Sequence, residues 1–253
     1  MPYHREKKLI QYYDYYDSFI REHFPDFRES FEIYEHCISE YANGLKGKII
    51  LCQGAGSESS AEKYFSHSKK VIAVDIDKQA IGNNKYASQK IVANIEKLPM
   101  IKSGSIDVVL SEWVIEHLRE PQEAFKETAR VLKKGGLYIF ETPNTRNFII
   151  KIIRLAKRIS NKKTQKLSAK YLLDKKEEDI FPAYYRANSA EFLDENLQKA
   201  GLEKLYLGRT GCPGYFRAWP WLLWLELQLE KLLRIKIFKK YQAYIVGVYR
   251  KIK

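Results

Sequence analysis

Between residues 48 and 142, short apolar runs alternate with stretches of helical spacing, and this alternation restricts the fold more than any other feature. KIILCQG, KVIAVDID, QKIVANIE, SIDVVLSE and LYIFETPN read as five strands. The first is continuously apolar, as a strand covered on both faces is. SSAEKYFSHS and DKQAIGNNKYA read as intervening helices, the second opened by Asp77 as N-cap. EPQEAFKETARVLKKGG is a further helix, with Pro121 in its first turn. Phe125, Ala129 and Leu132 form its apolar face, and Lys133 and Lys134 precede the terminating glycines. After a break, NSAEFLDENLQKAGLEKLYLG supplies a helix capped by Asn188 or Ser189 and a sixth strand, and YQAYIVGVYRK a seventh. Strands that alternate with helices form a parallel sheet with right-handed crossovers, so the chain is α/β and doubly wound.

A chain of 253 residues with 45% apolar content has ample material for one such domain and an elaboration. Residues 1–46 read as an N-terminal helical cap, with Phe31, Ile33, Tyr34, Cys37 and Ile38 near one helix face and Asn43-Gly44 ending it. Residues 47–253 read as the α/β domain. A basic helical insertion at about 145–180 follows strand five, and an amphipathic aromatic segment at about 215–240 follows strand six. Three scattered cysteines give neither a disulfide framework nor a metal pattern. The N-terminus lacks the apolar core of a signal peptide, and WPWLLWLELQLEKLL is interrupted by Glu226 and Glu230. The expectation is a cytoplasmic protein, with membrane association left open. A net charge of +13 favours an anionic partner.

IILCQGAGSES ends the first strand in two glycines, Gly54 and Gly56. Glycine is needed where backbone turns sharply or meets a ligand closely. Asp75 ends the second strand 21 positions after Gly54, where an acid can accept hydrogen bonds from ribose hydroxyls. A dinucleotide turn wants a third glycine, and Ser59 stands there. Glu58 would repel a pyrophosphate. A ligand with ribose but no pyrophosphate fits better, and S-adenosylmethionine is one. A plain tight turn with a surface Asp is the bland alternative.

Taken in order, ILCQGAGSE, VIAVDID, ANIEKLP, SIDVVLSEWVIEHL and RVLKKGGLYIFETPN give the chain a clear likeness. From about Lys48 to Asn144, and more weakly to Gly201, it resembles the class I S-adenosylmethionine-dependent methyltransferases. Within them it resembles the type 11 branch that acts on quinones, sugars and lipids. The resemblance implies a Rossmann-like seven-stranded sheet of order 3-2-1-4-5-7-6 with the seventh strand antiparallel. It implies S-adenosylmethionine as cofactor. Gln53, Gly54 and Gly56 would face the methionine part, Asp75 the ribose, Ile76, Asn94 and Ile95 the adenine. Ser111 and Glu112 would line the cofactor at the end of strand four. Three positions depart from the family pattern: Cys52 stands where an acid is frequent, Asn94 where an Asp is common, and Glu58 in the usual glycine-rich stretch.

Methyl transfer is an in-line displacement at an activated sulfonium, so a protein chiefly aligns the acceptor and excludes water. An oxygen acceptor also calls for a base. Glu116 and His117 follow strand four, and an unperturbed imidazole titrates near ~6.5. Capping of a short helix is the plainer role for this pair. No metal is expected. In FPAYYRANS, Tyr184, Tyr185 and Arg186 are candidate substrate contacts, and an arginine fork can hold a carboxylate or phosphate.

Residues 151–176 contain ten Lys or Arg and one Asp. Trp219, Trp221 and Trp224 precede leucines and then Arg234, Lys236, Lys239 and Lys240. These segments read as a solvated face, a lid for an anionic substrate, or peripheral contact with an anionic membrane. Basic residues adjoining aliphatics, with no reader module, argue against nucleic acid. The expected function is methyl transfer to a small or lipid- or sugar-linked acceptor, at oxygen before nitrogen or carbon. The alternatives are a binding or scaffold protein that kept the fold without activity and, more distantly, a nicotinamide-dependent oxidoreductase.

Overall fold

The computed structural model describes residues 27–159, 182–211 and 220–253, with Ser18, Ile20, Glu22 and Pro25. Residues 160–181 of the basic insertion, 212–219 of the aromatic segment and most of the first 26 lie outside the described residues.

Seven strands form one sheet: β1 Ile49–Gln53, β2 Lys70–Asp75, β3 Gln89–Val92, β4 Ile106–Glu112, β5 Leu132–Pro143, β6 Leu202–Thr210 and β7 Tyr244–Lys251. Their order is β3-β2-β1-β4-β5-β7-β6. The first five pair in parallel, and β7 runs antiparallel between β5 and β6, as the family resemblance implied. The helices are α1 Ser30–Ala42, α2 Glu62–Phe65, α3 Lys78–Asn83, α4 Pro121–Val131, α5 Phe148–Ile159, α6 Ala190–Lys199 and α7 Pro220–Leu233.

Alternate residues of the central strands feed two cores. Leu51, Val74, Val109 and Phe140 pack with Phe125 and Ala129 of α4 and with Leu193 and Leu197 of α6. Ile50, Ala73, Leu110 and Ile139 pack on the opposite face with Tyr34, Cys37 and Ile38 of α1 and with Phe65 and Ile81. The capping choices match the sequence. Asp77 accepts from Gln79 N and Ala80 N, and Ser189 from Phe192 N.

Two boundaries differ from the sequence reading. The helix opened by Pro121 stops at Val131 and not at the glycines. Leu132 is already extended and pairs with Ile106; the next pair is Val108 with Leu137, so Lys133–Gly136 bulge out. A salt bridge of 2.7 Å from Lys133 to Asp107 holds the bulge, and Gly135 turns it at φ +77°. The helix expected over SSAEKYFSHS is only Glu62–Phe65. Ser59 and Ser60 are hydrogen-bonded to Glu112, which holds the preceding residues in a loop.

β1, β4 and β5 point their C-terminal ends at one edge. Two antiparallel steps make β6 point the same way. The Gly54 turn, Trp113, Asn144 and Gly211 therefore share that edge.

Candidate functional site

The turn after β1 is built from both ends. The Gln53 side chain is buried and donates to Thr128 Oγ1 at 3.0 Å, which leaves only its backbone to the turn. Gly54 and Gly56 both have left-handed backbones, with φ +59° and +48°. A side chain at Gly54 would collide with Val114, whereas at Gly56 the space is open. The first glycine thus admits a neighbour, and the second leaves room beside the turn.

Asp75 locks this turn. Its Oδ2 accepts from Gly56 N at 2.9 Å and its Oδ1 from Asp77 N at 2.9 Å. A carboxylate has about four acceptor sites, so capacity for two ribose hydroxyls remains. Ile76, next to it, is 63% exposed and offers an apolar face to an adenine ring. Asn94 spends its Oδ1 on Glu96 N at 2.9 Å. The Ile95 side chain is buried in the core, so only its backbone can reach a ligand. Ser111 is buried with its Oγ unpaired among the described residues.

On the other side of the turn lies a cavity of about 1280 Å³, lined by Cys52, Ala55, Glu58, Asn84, Glu112 and Trp113 among others. Asp75 and Ile76 do not line it; they meet the turn through Gly56. Glu112 accepts from Ser60 N at 2.9 Å, from Ser60 Oγ at 2.7 Å and from Ser59 Oγ, so it pins the descending limb of the turn. Asn84 Nδ2 donates to Gly56 O at 3.0 Å, and Tyr86 OH to Ala55 O at 2.8 Å. Burial, and then the Glu112 charge, push the Cys52 thiol far up, so the residue in the frequent acid's place is neutral.

Glu116 and His117 lie on a 3-10 turn, Ile115–His117. Glu116 is buried and accepts from Thr142 Oγ1 at 3.0 Å. Asn188 Nδ2 reaches the same hydroxyl oxygen at 2.6 Å. The Glu116 carbonyl accepts from Tyr184 N at 2.7 Å and Tyr185 N at 3.0 Å. His117 Nδ1 lies 2.9 Å from Pro182 O and donates to it. The pair therefore fastens the 182–188 segment over the end of the sheet. Arg186 Nη1 donates to Arg119 O at 2.6 Å, and Arg119 Nε to Tyr184 OH at 2.8 Å. Arg154 stacks over Tyr185 with 5.2 Å to the ring centre. Tyr184, Tyr185 and Arg186 are thus gathered at one place, already in contact with the β4 exit.

Sequence reasoning passed over Glu141. It stands beside Glu112 in the β4–β5 register, is 1% exposed, and has no hydrogen-bond partner for either carboxylate oxygen among the described residues. Burial first, and then the charges of Glu112 and Glu116, push its carboxyl up to about 8, tempered by nearby Ser30 and Trp113. Tyr34 OH, buried on the same face, also has no hydrogen-bond partner among the described residues. Trp113 holds a left-handed backbone of φ +56° at the cavity wall. The only hint in the sequence was an acid inside the apolar strand LYIFETPN.

With this geometry in place, relatives add context. Residues 51–140 match the model of the methyltransferase domain family. A Mycobacterium tuberculosis protein named Probable S-adenosylmethionine-dependent methyltransferase is 35% identical over 102 residues, which are 39% of this chain and 37% of that one. A ubiquinone biosynthesis O-methyltransferase of Acinetobacter baylyi is 30% identical over 115 residues, 42% of this chain and 48% of its own. The matched region thus spans less than half the length of these relatives. Among solved structures, the N-methyltransferase NodS of Bradyrhizobium japonicum, in complex with S-adenosyl-L-homocysteine, superposes with a TM-score of 0.55 at 12% identity over 90% of each chain. The cyclase SpnF superposes with a TM-score of 0.55 at 16% identity over 87% of this chain and 80% of that one. At such identities the likeness is one of fold. Over residues 51–140 this chain is therefore similar to methyltransferase domains, among them that of a relative named S-adenosylmethionine-dependent.

Proposed function

We propose that the chain transfers a methyl group from S-adenosylmethionine to an oxygen of a small or lipid- or sugar-linked acceptor. The carrying observation is Asp75, whose carboxylate fixes the two-glycine turn and keeps acceptor capacity beside the exposed Ile76. The residues fit the cofactor: Gly56 leaves open space, Asp75 suits ribose hydroxyls, and Ile76 suits an adenine face. When bound, the cofactor supplies a methyl group already activated on a sulfonium. The protein's own part is alignment and proton removal. With Nδ1 donating to Pro182 O, His117 in its neutral form has its lone pair on Nε2, the nitrogen that would serve as base. Glu116 holds that turn through Thr142 and positions His117. The oxygen preference draws support from the O-methyltransferase name of one relative.

The test is calorimetry with S-adenosyl-L-homocysteine on the full chain and on Asp75→Ala, paired with transfer of labelled methyl into lipid and aqueous extracts. Charge-assisted hydrogen bonds are worth roughly 1.5–3 kcal/mol, so affinity should fall about 10- to 150-fold. Equal affinity in both proteins would remove Asp75 from the site. Cofactor binding with no labelled product from any extract would favour a second reading, a fold kept for binding. The neutral Cys52 and the cyclase among the structural neighbours are what support that reading.

A further inference from the structure

The helix α7 is arranged inside out. Trp221, Trp224, Leu225 and Leu232 recur at i, i+3, i+4 and i+11 and all face outward, with Trp221 65% and Trp224 51% exposed. Its inward face carries Leu223 and Leu227, packed with Ile20 and Phe27, but also the buried Glu226 and Glu230. Gly211 lies against the Glu230 carboxylate, so a larger residue there would have to displace that side chain. An ordinary amphipathic helix turns its acids to water and its tryptophans to the core. Ile235 and Ile237, just beyond the helix, continue the exposed apolar surface.

A second helix does the same at the same edge. In α5, Phe148, Ile152 and Leu155 are exposed at i, i+4 and i+7, while Ile149 and Ile150 are buried. Asn144 Nδ2 donates to Lys240 O at 3.0 Å and to Gln242 O at 2.7 Å, and Asn147 Nδ2 donates to Tyr241 O at 2.9 Å. These bonds join the start of α5 to the segment that follows α7.

We propose that α7, with α5 beside it, is a docking surface for an anionic lipid bilayer. Large apolar side chains exposed at helical spacing on two helices joined at one edge mark an interaction site. Charge decides the occupant. Lys151, Lys236, Lys239 and Lys240 are exposed around the two stripes, and the acids of α7 are turned inward. Each such cation is attracted to an anionic leaflet. A second copy of a chain with net charge +13 would meet these cations with its own repulsion. Tryptophan at the boundary of an apolar face, with a lysine flank, is the composition of a helix lying in the headgroup plane. At 14 residues α7 is about 21 Å long, short of the roughly 30 Å hydrocarbon core. Among the described residues, no helix is long and apolar enough to cross a membrane. Docking this surface places the edge that carries the Gly54 turn next to the bilayer, whatever reaction the site performs.

Vesicle co-sedimentation of the full chain tests this, with phosphatidylglycerol–phosphatidylcholine vesicles against phosphatidylcholine alone, at low and high salt. The expected result is binding to the anionic vesicles that weakens as salt rises, with a blue shift of tryptophan emission. Trp221→Ser/Trp224→Ser should lose at least tenfold in binding with an unchanged melting temperature, because both side chains face outward. Lys236→Glu/Lys239→Glu/Lys240→Glu should lose binding at low salt. No sedimentation with anionic vesicles at low salt, or variants that bind like the parent, overturns the proposal. So does a parent that dimerises in light scattering, fails to bind vesicles, and becomes monomeric in the tryptophan variant. None of these readouts depends on methyl transfer, so their failure is separate from failure of the enzymatic reading.

Discussion

The Val114 side chain fills the space where a Cβ on Gly54 would stand. The last residue before the 3-10 turn and the first residue after β1 therefore set each other's position, and Gly54 is required twice, by this contact and by φ +59°. A left-handed backbone costs a side-chain-bearing residue roughly 1–2 kcal/mol, and overlap in a packed region adds about 1–3 more. Gly54→Ala should lower the melting temperature by roughly 5–15 °C in calorimetry, at about 2–4 °C per kcal/mol for a domain of this size. Adding Val114→Ala should return only part of the loss, because the backbone strain stays. Full recovery in the double variant would show that strain plays no part.

Glu141 gives the fold a pH dependence whose sign is fixed. Its carboxyl titrates at about 8 in the folded protein against 4.5 for an unperturbed glutamate. Between those values the folded chain holds a proton that the unfolded chain has released, so stability falls as pH rises through this window. Each tenfold difference in proton affinity is worth about 1.4 kcal/mol. Glu141→Gln removes the buried charge, so it should be up to roughly 5 kcal/mol more stable than the parent at pH 9 and close to it near pH 4.5. Urea unfolding of both proteins at pH 5, 7 and 9 gives the comparison. A stability difference that does not change with pH would mean that Glu141 is not held protonated.

What the sequence disclosed follows from how local each signal is. The alternation of strands and helices, and the placing of Asp75 across from the two-glycine turn that it meets at Gly56, were legible because strand–turn–helix units and glycine spacing are encoded within about 30 residues, whereas the strand order came only with the family resemblance. Asp77 and Ser189 were legible as caps for the same reason. The end of α4 was not, because Leu132 is drawn into the sheet by Ile106, a partner 26 positions away. The role of Ser59 and Ser60 was hidden because their acceptor, Glu112, is more than 50 residues along the chain. Glu141 looked like one polar letter in a strand, and only the covering by α1 and the neighbouring Glu112 make it unusual. The outward face of α7 was visible as tryptophans near lysines, but which way they point depends on where Glu226 and Glu230 are buried.

The Glu112 carboxylate is the one tie between the β4 exit and the Ser59–Ser60 limb of the turn found among the described residues. Glu112→Ala removes three acceptor contacts at once, and hydrogen bonds to a charged group are worth roughly 1.5–3 kcal/mol each. Amide exchange over residues 57–62 should then quicken at least tenfold, and S-adenosyl-L-homocysteine affinity should drop by about tenfold. Cys52 supplies an independent readout. It is buried at the wall of the cavity beside this limb and carries a thiol pushed far up, chiefly by burial, so it should resist alkylation in the parent. In Glu112→Ala the loosened limb should admit the reagent, and mass spectrometry locates the label on Cys52. Glu112→Gln keeps one acceptor oxygen and should fall between the two. Unaltered exchange over 57–62 in Glu112→Ala would show that Asn84, Tyr86 and Asp75 hold the turn without it.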